Sequence, residues 1–285
     1  MINFIVKSVV MAFAIVTGIF TFAPEALFGK HEWITQKALE QSKCFARLDA
    51  QDVNIIISRL VCFLVVWVIT LLLYVVFLKL RRWITIKGQN YSIKVEYGNI
   101  FETSKCKRVI NFDECFTTQV GNATADIDSD SICGQYLELH PDLDVRQLIK
   151  AAQIIPARSK SKYQHKTRYD SGTIVPNGDD LLMAFAKLDE KGKGRFFSRD
   201  EYLMCLDLLW KELENNYSEK DVCVPVLGAG TTSFDGGSGA SISQQELLDM
   251  MIWSYKLSSH KIKHPHKLRI VCRKISGFSI NNIEK

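Results

Sequence analysis

The chain has 285 residues, 47% hydrophobic and 24% charged, with 36 Lys and Arg against 31 Asp and Glu, and a mean hydropathy of +0.01. That length accommodates one or two domains, and the hydropathy fits neither an ordinary soluble enzyme nor a multispan transporter. From Lys79 onward the 30 basic and 26 acidic residues are too evenly mixed to signal a nucleic-acid surface, so no nucleic-acid partner is expected.

The average conceals a division. No residue from Ser8 to Pro24 is charged, and Leu60 to Leu78 reads LVCFLVVWVITLLLYVVFL, 19 nearly continuous apolar residues. At about 1.5 Å per residue the second run reaches roughly 28 Å, close to the hydrocarbon thickness of a bilayer. Both runs are expected to be transmembrane helices, with Lys7 placed to snorkel to the headgroups at the start of the first. A cleaved signal peptide is the alternative for the first run, with Thr21-Phe22-Ala23 as a poor cleavage site. Ala12, Ala14 and Gly18 offer small residues for close helix approach without a full GxxxG motif. Lys79, Arg81, Arg82 and Lys87 follow the second run, whereas the loop from Glu25 to Arg59 carries five basic and five acidic residues. The positive-inside rule then puts both termini and everything after the second helix in the cytoplasm, with Cys44 outside. The expected division is a two-helix transmembrane region over 1–84 and a cytoplasmic domain over 85–285. Cys106, Cys115, Cys133, Cys205, Cys223 and Cys272 form no CxxC pair and read as reduced core cysteines, as a cytoplasmic domain requires.

In the domain, YSIKVEYGNIF (91–101) alternates like a strand and RVINF (108–112) reads as a second, more buried one. GNATADIDSDS (121–131) is a polar loop, and DLDVRQLIKAAQ (142–153) a helix with an acidic cap. SGTIVP predicts a strand, and DDLLMAFAKLD (179–189) a short helix with Leu181, Leu182, Phe185 and Leu188 on one side. Ser198-x-x-Glu201 opens a helix with Tyr202, Leu203, Leu206, Leu209, Trp210 and Leu213 as its stripe. VCVPVL (222–227) is a buried strand, Ser243-x-x-Glu246 opens another helix, and KLRIVCRK closes the pattern as a strand. Alternating strands and helices imply an α/β fold, a largely parallel or mixed sheet with helices on both faces that binds ligands at the carboxyl ends of its strands.

The loop after VCVPVL carries Gly228, Gly230, Gly236, Gly237 and Gly239 before a helix start near Ser241 to Ser243. Glycines let backbone N–H groups approach an anion, and the helix start adds a positive dipole end, which together outline a phosphate cradle. A plain flexible connection is the alternative. No Lys follows Gly230, and Ser233 stands where GxGxxG needs glycine, so the loop is neither a P-loop nor a dinucleotide fingerprint. His260, His264 and His266 lie among Lys256, Lys261, Lys263 and Lys267, which repel a divalent cation, so no metal is expected there. Asp189 to Asp200 faintly echoes an EF-hand, but Lys191 and Lys193 occupy oxygen-ligand positions and the segment reads as a turn.

The strand YSIKVEYGNIF, the strand and loop VINFDECFTT (109–118) and VPVLGAG together resemble a macro domain, over roughly residues 90–275. Ser131-Ile132-Cys133-Gly134 matches the serine-x-x-glycine element of a divergent branch, and with the two preceding helices the arrangement is similar to membrane-anchored effectors of Thoeris antiphage defence. The resemblance implies a macro-domain-like mixed sheet binding an ADP-ribose-derived ligand. It implies that Asn99 and Ile100 hold the adenine, that Asn111 and Phe116 lie in the first loop with Ser131, Cys133 and Gly134 beside it, and that Gly228, Ala229, Gly230 and Thr231 hold the diphosphate. Phe234 stacks on a base or ribose, or is a local packing plug. Asn99 departs from the usual Asp, and the glycine triplet after the first-loop Asn is missing.

The resemblance implies a sensor and effector with no catalytic residue and no cofactor, whose messenger is expected from a partner TIR-domain NADase and whose homo-oligomer is expected to act on the bilayer of the inner membrane. The alternatives are a membrane-tethered ADP-ribosyl hydrolase, for which Asp113, Glu114 and Asp235 are the nearby acids, and a nucleotide-gated channel, for which the uncharged spans offer no ion path.

Overall fold

The computed structural model describes residues 2–24, 31–41, 49–196, 198–230, 232–234 and 242–283, without the side chains of residues 2–5 and 7. Of the residues singled out above, Cys44, Thr231, Asp235, Gly236, Gly237, Gly239, Ser241 and the side chain of Lys7 lie outside this description. The chain divides into two compact units, Met1–Arg81 and Arg82–Lys285.

The first unit holds α1 (Ile2–Phe22), a short α2 (Gln36–Glu40) and α3 (Ala50–Leu80). Asp49 caps α3 by accepting the Gln51 N–H at 2.9 Å, so α3 starts ten residues before the apolar run that forms its body. Among the described residues α3 is the one helix long and apolar enough to cross a membrane, and the described apolar part of α1, Ser8–Phe22, is shorter. Ser8, Ala12 and Val16, spaced four apart, are the buried residues of α1 among the described side chains, and Ser8 Oγ accepts from Trp67 Nε1 at 3.2 Å. Leu60, Leu64, Val68, Leu72 and Val76 remain exposed along α3, which a helix in the core of a soluble protein would not do.

In the second unit the strands are β1 (Trp83–Lys87), β2 (Ser92–Tyr97), β3 (Cys106–Asp113), β4 (Ile174–Asn177), β5 (Asp180–Leu188), β6 (Gly194–Phe196), β7 (Asp221–Pro225), β8 (Ser233–Phe234) and β9 (Leu268–Cys272). They pair in the order β1-β2-β9-β7-β3-β5-β6-β8, with β4 also on β5. The central pairs β2/β9, β9/β7, β7/β3 and β3/β5 are parallel, and β1/β2, β4/β5 and β5/β6 are antiparallel. The helices are α4 (Ile132–Leu139), α5 (Val145–Ala151), α6 (Arg199–Asn216) and α7 (Gln244–Leu257). One face of the sheet packs against α6 and α7, where Val224, Ile270, Met183 and Phe185 meet Leu206, Trp210, Leu248 and Tyr255. The other face packs Ile110, Phe112, Leu182 and Ala184 against Tyr136, Leu137 and Val145 of α4 and α5.

The segment 179–189, expected as a short helix, is the strand β5. Its residues from Asp180 to Ala186 are buried, with Leu181, Met183 and Phe185 in one core and Leu182 and Ala184 in the other. A strand covered on both faces is apolar at successive positions, and that run also satisfies an i, i+3, i+4 pattern. The helix α4 begins where the polar loop was expected to end, with Ser131 as its cap. In α6 the expected stripe is buried except Leu203, which is 40% exposed. Ser198 caps that helix by accepting the Glu201 N–H at 3.1 Å, while the Glu201 carboxylate meets Lys187 Nζ at 2.5 Å. The turn at Asp189 is closed by its own carboxylate, which accepts the N–H groups of Lys191 and Lys193 at 2.9 and 2.8 Å. His260 Nδ1 lies 2.7 Å from Glu214.

Candidate ligand-binding site

A cleft of about 470 Å³ opens where β2, β3, β7 and β9 end, the position at which parallel sheets bind ligands. Each strand contributes the residues around its carboxyl end. Gly98, Asn99, Ile100 and Phe101 follow β2, Asn111 lies near the end of β3, Pro225 to Gly230 include the turn after β7, and Val271, Arg273 and Ile275 come from the end of β9 and beyond. Ser131, Ile132 and Gln135 bring the first turn of α4 to the rim, and Gln244 brings that of α7. The volume suits a nucleotide-sized ligand.

Ile100 and Val271 are 3% and 5% exposed and make an apolar floor. Beside it Asn99 starts a 3-10 turn over Ile100–Glu102, and its Oδ1 accepts the Phe101 N–H at 3.1 Å. One lone pair of that oxygen is therefore committed to the backbone, and the second remains for a base.

Asn111 Oδ1 is buried with no hydrogen-bond partner among the described residues. An unpaired buried acceptor costs about 1–3 kcal/mol, and here it borders the cleft and a second depression of about 580 Å³. The second depression runs from Asp113 past Gly121 to Ser129 and Cys133, and it shares Asn111, Ser131 and Thr232 with the first. Ser131 holds this junction in shape, since its Oγ accepts the Gly134 N–H at 2.9 Å and donates to Asp128 O at 2.6 Å. Gly134 itself faces the Asp128–Ser129 backbone at a distance that leaves no space for a Cβ.

The loop after β7 is shaped by its glycines. Gly228 has φ of +86° and a Cβ there would fall 2.8 Å from Phe234 Cζ, whereas a Cβ on Gly230 would meet nothing within 4 Å among the described residues. Glycine is required at Gly228 by backbone and neighbour, and at Gly230 it leaves the approach to the backbone open. Phe234 stacks on Phe196 at 5.8 Å and packs edge-on to Tyr202 at 5.5 Å. It does not line either cavity, so of the two roles weighed for it the structure gives the packing plug. Phe116 likewise lies in the core against Phe112 and Tyr169, at 5.7 and 5.5 Å, and does not line the cleft. Its φ of +52° turns the side chain back under β3.

The helix start behind this loop is the one that Ser243-x-x-Glu246 leads one to expect. Ser243 caps α7, and a full capping box brings Glu246 Oε2 within 2.9 Å of the Ser243 N–H. That hydrogen bond holds the Glu246 carboxyl below its ordinary value, so the positive helix end is partly neutralised from within. Arg273 supplies a cation instead. Its Nη2 donates to Asp130 O at 3.2 Å, and Gln244 Nε2 donates to the Arg273 carbonyl at 3.0 Å. Sequence reasoning passed over Arg273, although a basic residue just past a buried strand was its available signal. It also passed over Gln135 and Ile275, which no local pattern distinguishes.

Two acids near the first loop are differently placed. Glu114 is 2% exposed and is consumed by Ser161 at 2.5 Å, the Leu188 N–H at 3.1 Å and Arg168 at 3.4 Å. Asp113 lines the second depression and accepts the N–H groups of Cys115 and Thr117 at 2.7 and 3.3 Å. Burial raises its pKa, and the hydrogen bonds of Thr117 and Cys115 oppose the rise.

A mixed sheet between helices, with a glycine turn and an apolar floor at the carboxyl ends of its parallel strands, defines an α/β domain of macro-domain type. Residues 93–273 match the family described as "Thoeris protein ThsA, Macro domain". The chain belongs to that family. It is 28% identical over 255 residues to the Thoeris protein ThsA of Bacillus amyloliquefaciens (strain Y2), covering 85% of this chain and 83% of the relative. Two solved structures align more distantly. An Oceanobacillus iheyensis macrodomain with ADP gives a TM-score of 0.37 at 7% identity, over 67% of this chain and 88% of that one. Thermosipho africanus DarTG in complex with ADP-ribose gives 0.35 at 14% identity, over 67% and 45%.

Proposed function

We propose that this Thoeris ThsA homologue is a membrane-anchored sensor and effector. Its macro domain binds an ADP-ribose-derived nucleotide made by a TIR-domain NADase, and binding drives copies of the chain to assemble and disrupt the inner membrane. The observation that carries this reading is the cleft itself. Ile100 and Val271 offer an apolar floor for a base, Gly228 to Gly230 and Arg273 an approach for a diphosphate, and Asn111 an unpaired acceptor for a ribose hydroxyl beyond it. The relative named ThsA supports the place in Thoeris antiviral defence.

The apolar helices support the effector half. The exposed apolar length of α3 needs a bilayer, and two helices per chain are too few to enclose an aqueous pore. Ala12 is buried within its own unit, while Ala14 is exposed and Gly18 partly so, four residues apart on another side of α1. That spacing suits close approach by a helix of a second copy. Both termini are cytoplasmic in this reading, by the charge asymmetry around α3.

Hydrolysis is the competing activity, and the acids do not favour it. Glu114 is spent on structural partners, and the Asp113 carboxylate is already engaged by the N–H groups of Cys115 and Thr117 rather than left to take a proton from a water. The test titrates the full-length protein in detergent with ADP-ribose and its base-, amino-acid- and cyclised derivatives, following heat and product together. Saturable heat without product is expected, and turnover of the bound nucleotide would put the hydrolase ahead.

A further inference from the structure

Beneath the apolar floor lies a pair of cysteines that the nucleotide site does not use. Cys106 opens β3 and Cys223 lies in β7. The ladder pairs Cys106 with Asp221 and Arg108 with Cys223, so the two cysteines sit two residues apart on adjoining parallel strands. Their Sγ atoms are 2.8 Å apart, with residue exposures of 5% and 0%. They form one small cluster with Ile100 and Val271, against which Phe101 and Ile132 pack. All four of those apolar residues line the nucleotide cleft.

We propose that Cys106 and Cys223 are a reversible oxidation site, a dithiol that a hydroperoxide converts to a disulfide and that thereby lowers the nucleotide affinity of the cleft. The Cys106 thiolate attacks one peroxide oxygen, the O–O bond breaks, and the second oxygen leaves as hydroxide. Cys223 sulfur then displaces the hydroxyl of the Cys106 sulfenic acid. The S–S bond forms, the S–O bond breaks, and the hydroxyl and the Cys223 proton leave as water. Two thiols and one peroxide give one disulfide and two waters.

Selectivity has a physical basis, because the thiolate is the reactive form. The Cys223 hydrogen bond draws the Cys106 thiol down to about 6, against burial, with help from Thr103, Arg269 and Arg108. Cys223 moves the other way because its partner holds the charge. Burial raises Cys115 to about 11 and Cys272 to about 12, and it raises Cys133 and Cys205 as well. A disulfide bond is about 2.05 Å long, so oxidation draws the sulfurs together. Ile100 and Val271, which rest on them, follow inward and open a gap below the base. A gap of about 0.5–1 Å forfeits a quarter to a half of each contact.

The inference rests on the nucleotide reading only for its effect on affinity, and the crosslink is measured without ligand. Full-length protein in detergent is treated with stepped hydrogen peroxide, alkylated, digested and peptide-mapped, with ADP-ribose calorimetry on matched samples. The expected result is a Cys106–Cys223 peptide that forms before Cys115, Cys133, Cys205 or Cys272 is oxidised and disappears with dithiothreitol. The ADP-ribose Kd should rise about fivefold on oxidation and recover on reduction, and Cys223→Ala should show neither change. No Cys106–Cys223 peptide at doses that oxidise the other cysteines would overturn the proposal, as would a full crosslink with an unchanged Kd. Failure of the reduced protein to bind ADP-ribose would instead count against the nucleotide site, and the peptide map would still decide the dithiol.

Discussion

Gly228 and Gly230 stand two residues apart in the turn after β7, yet substitutions there act on different equilibria. In Gly228→Ala the new Cβ meets a φ of +86° and falls 2.8 and 3.1 Å from Phe234 Cζ and Cε2. The left-handed backbone alone costs about 1–2 kcal/mol, and Phe234 cannot swing freely because Phe196 and Tyr202 hold its ring. A loss of about 2–3 kcal/mol follows, which for a domain of this size lowers Tm by about 5–10 °C. In Gly230→Glu no atom of the described residues obstructs the Cβ within 4 Å, so stability should stay within about 0.5 kcal/mol of the native chain. The carboxylate, however, enters the path of the diphosphate. One charge about 4 Å from one phosphate costs about 4 kcal/mol at an effective dielectric of about 20, or about a thousandfold in Kd. Thermal melts and ADP-ribose calorimetry on the two full-length variants read both quantities. Gly230→Glu binding at native affinity would remove the diphosphate from this turn, and Gly228→Ala melting with the native protein would refute the steric argument.

Three further outcomes are expected. Asn111→Ala should leave stability unchanged or slightly raised, since its buried Oδ1 has no partner to lose, while ADP-ribose binding weakens by about 1–3 kcal/mol in calorimetry; equal binding would place the ligand elsewhere. Asn99→Ala removes both a base acceptor and the cap on the Phe101 N–H, so binding should fall by about 1–3 kcal/mol with a small loss of Tm. Asp113→Asn tests the buried carboxyl: because its native pKa is raised from 3.8, the native state holds more protons than the unfolded chain as pH climbs from that value. Wild-type stability should therefore fall relative to the Asn variant as the pH rises above about 4 in denaturant titrations, and a difference independent of pH would contradict the raised pKa.

The elements legible in the sequence are those whose burial is one-sided or whose ends carry a cap or turn residues. Ser243-x-x-Glu246 marked the start of α7 because a reciprocal cap needs those two residues at that spacing, and VCVPVL marked β7 because turn residues bound it. The strand β5 was misread because burial on both faces erases the alternation that betrays a strand. The strands β6 and β8 have three and two residues, too few for any period to show. In the site, Gly228 and Gly230 were legible because backbone approach needs glycine. Phe116 and Phe234 were less so, since an aromatic in a loop carries the same letter whether it faces a ligand or, as here, a core. Arg273 and Gln135 reach the cleft through the arrangement of β9 and α4, which no local pattern encodes.

The account turns on whether nucleotide binding changes the assembly and its effect on a bilayer, because a ligand shifts an equilibrium only by its differential affinity for the two states. Full-length protein in dye-loaded liposomes, titrated with ADP-ribose and its derivatives while oligomer mass, occupancy and dye release are recorded together, measures this directly. The account predicts that one of these nucleotides raises the oligomer mass and releases dye over the range in which it fills the cleft, and that Gly230→Glu does neither. Full occupancy by every nucleotide that binds, with no change in mass and no release, would contradict it.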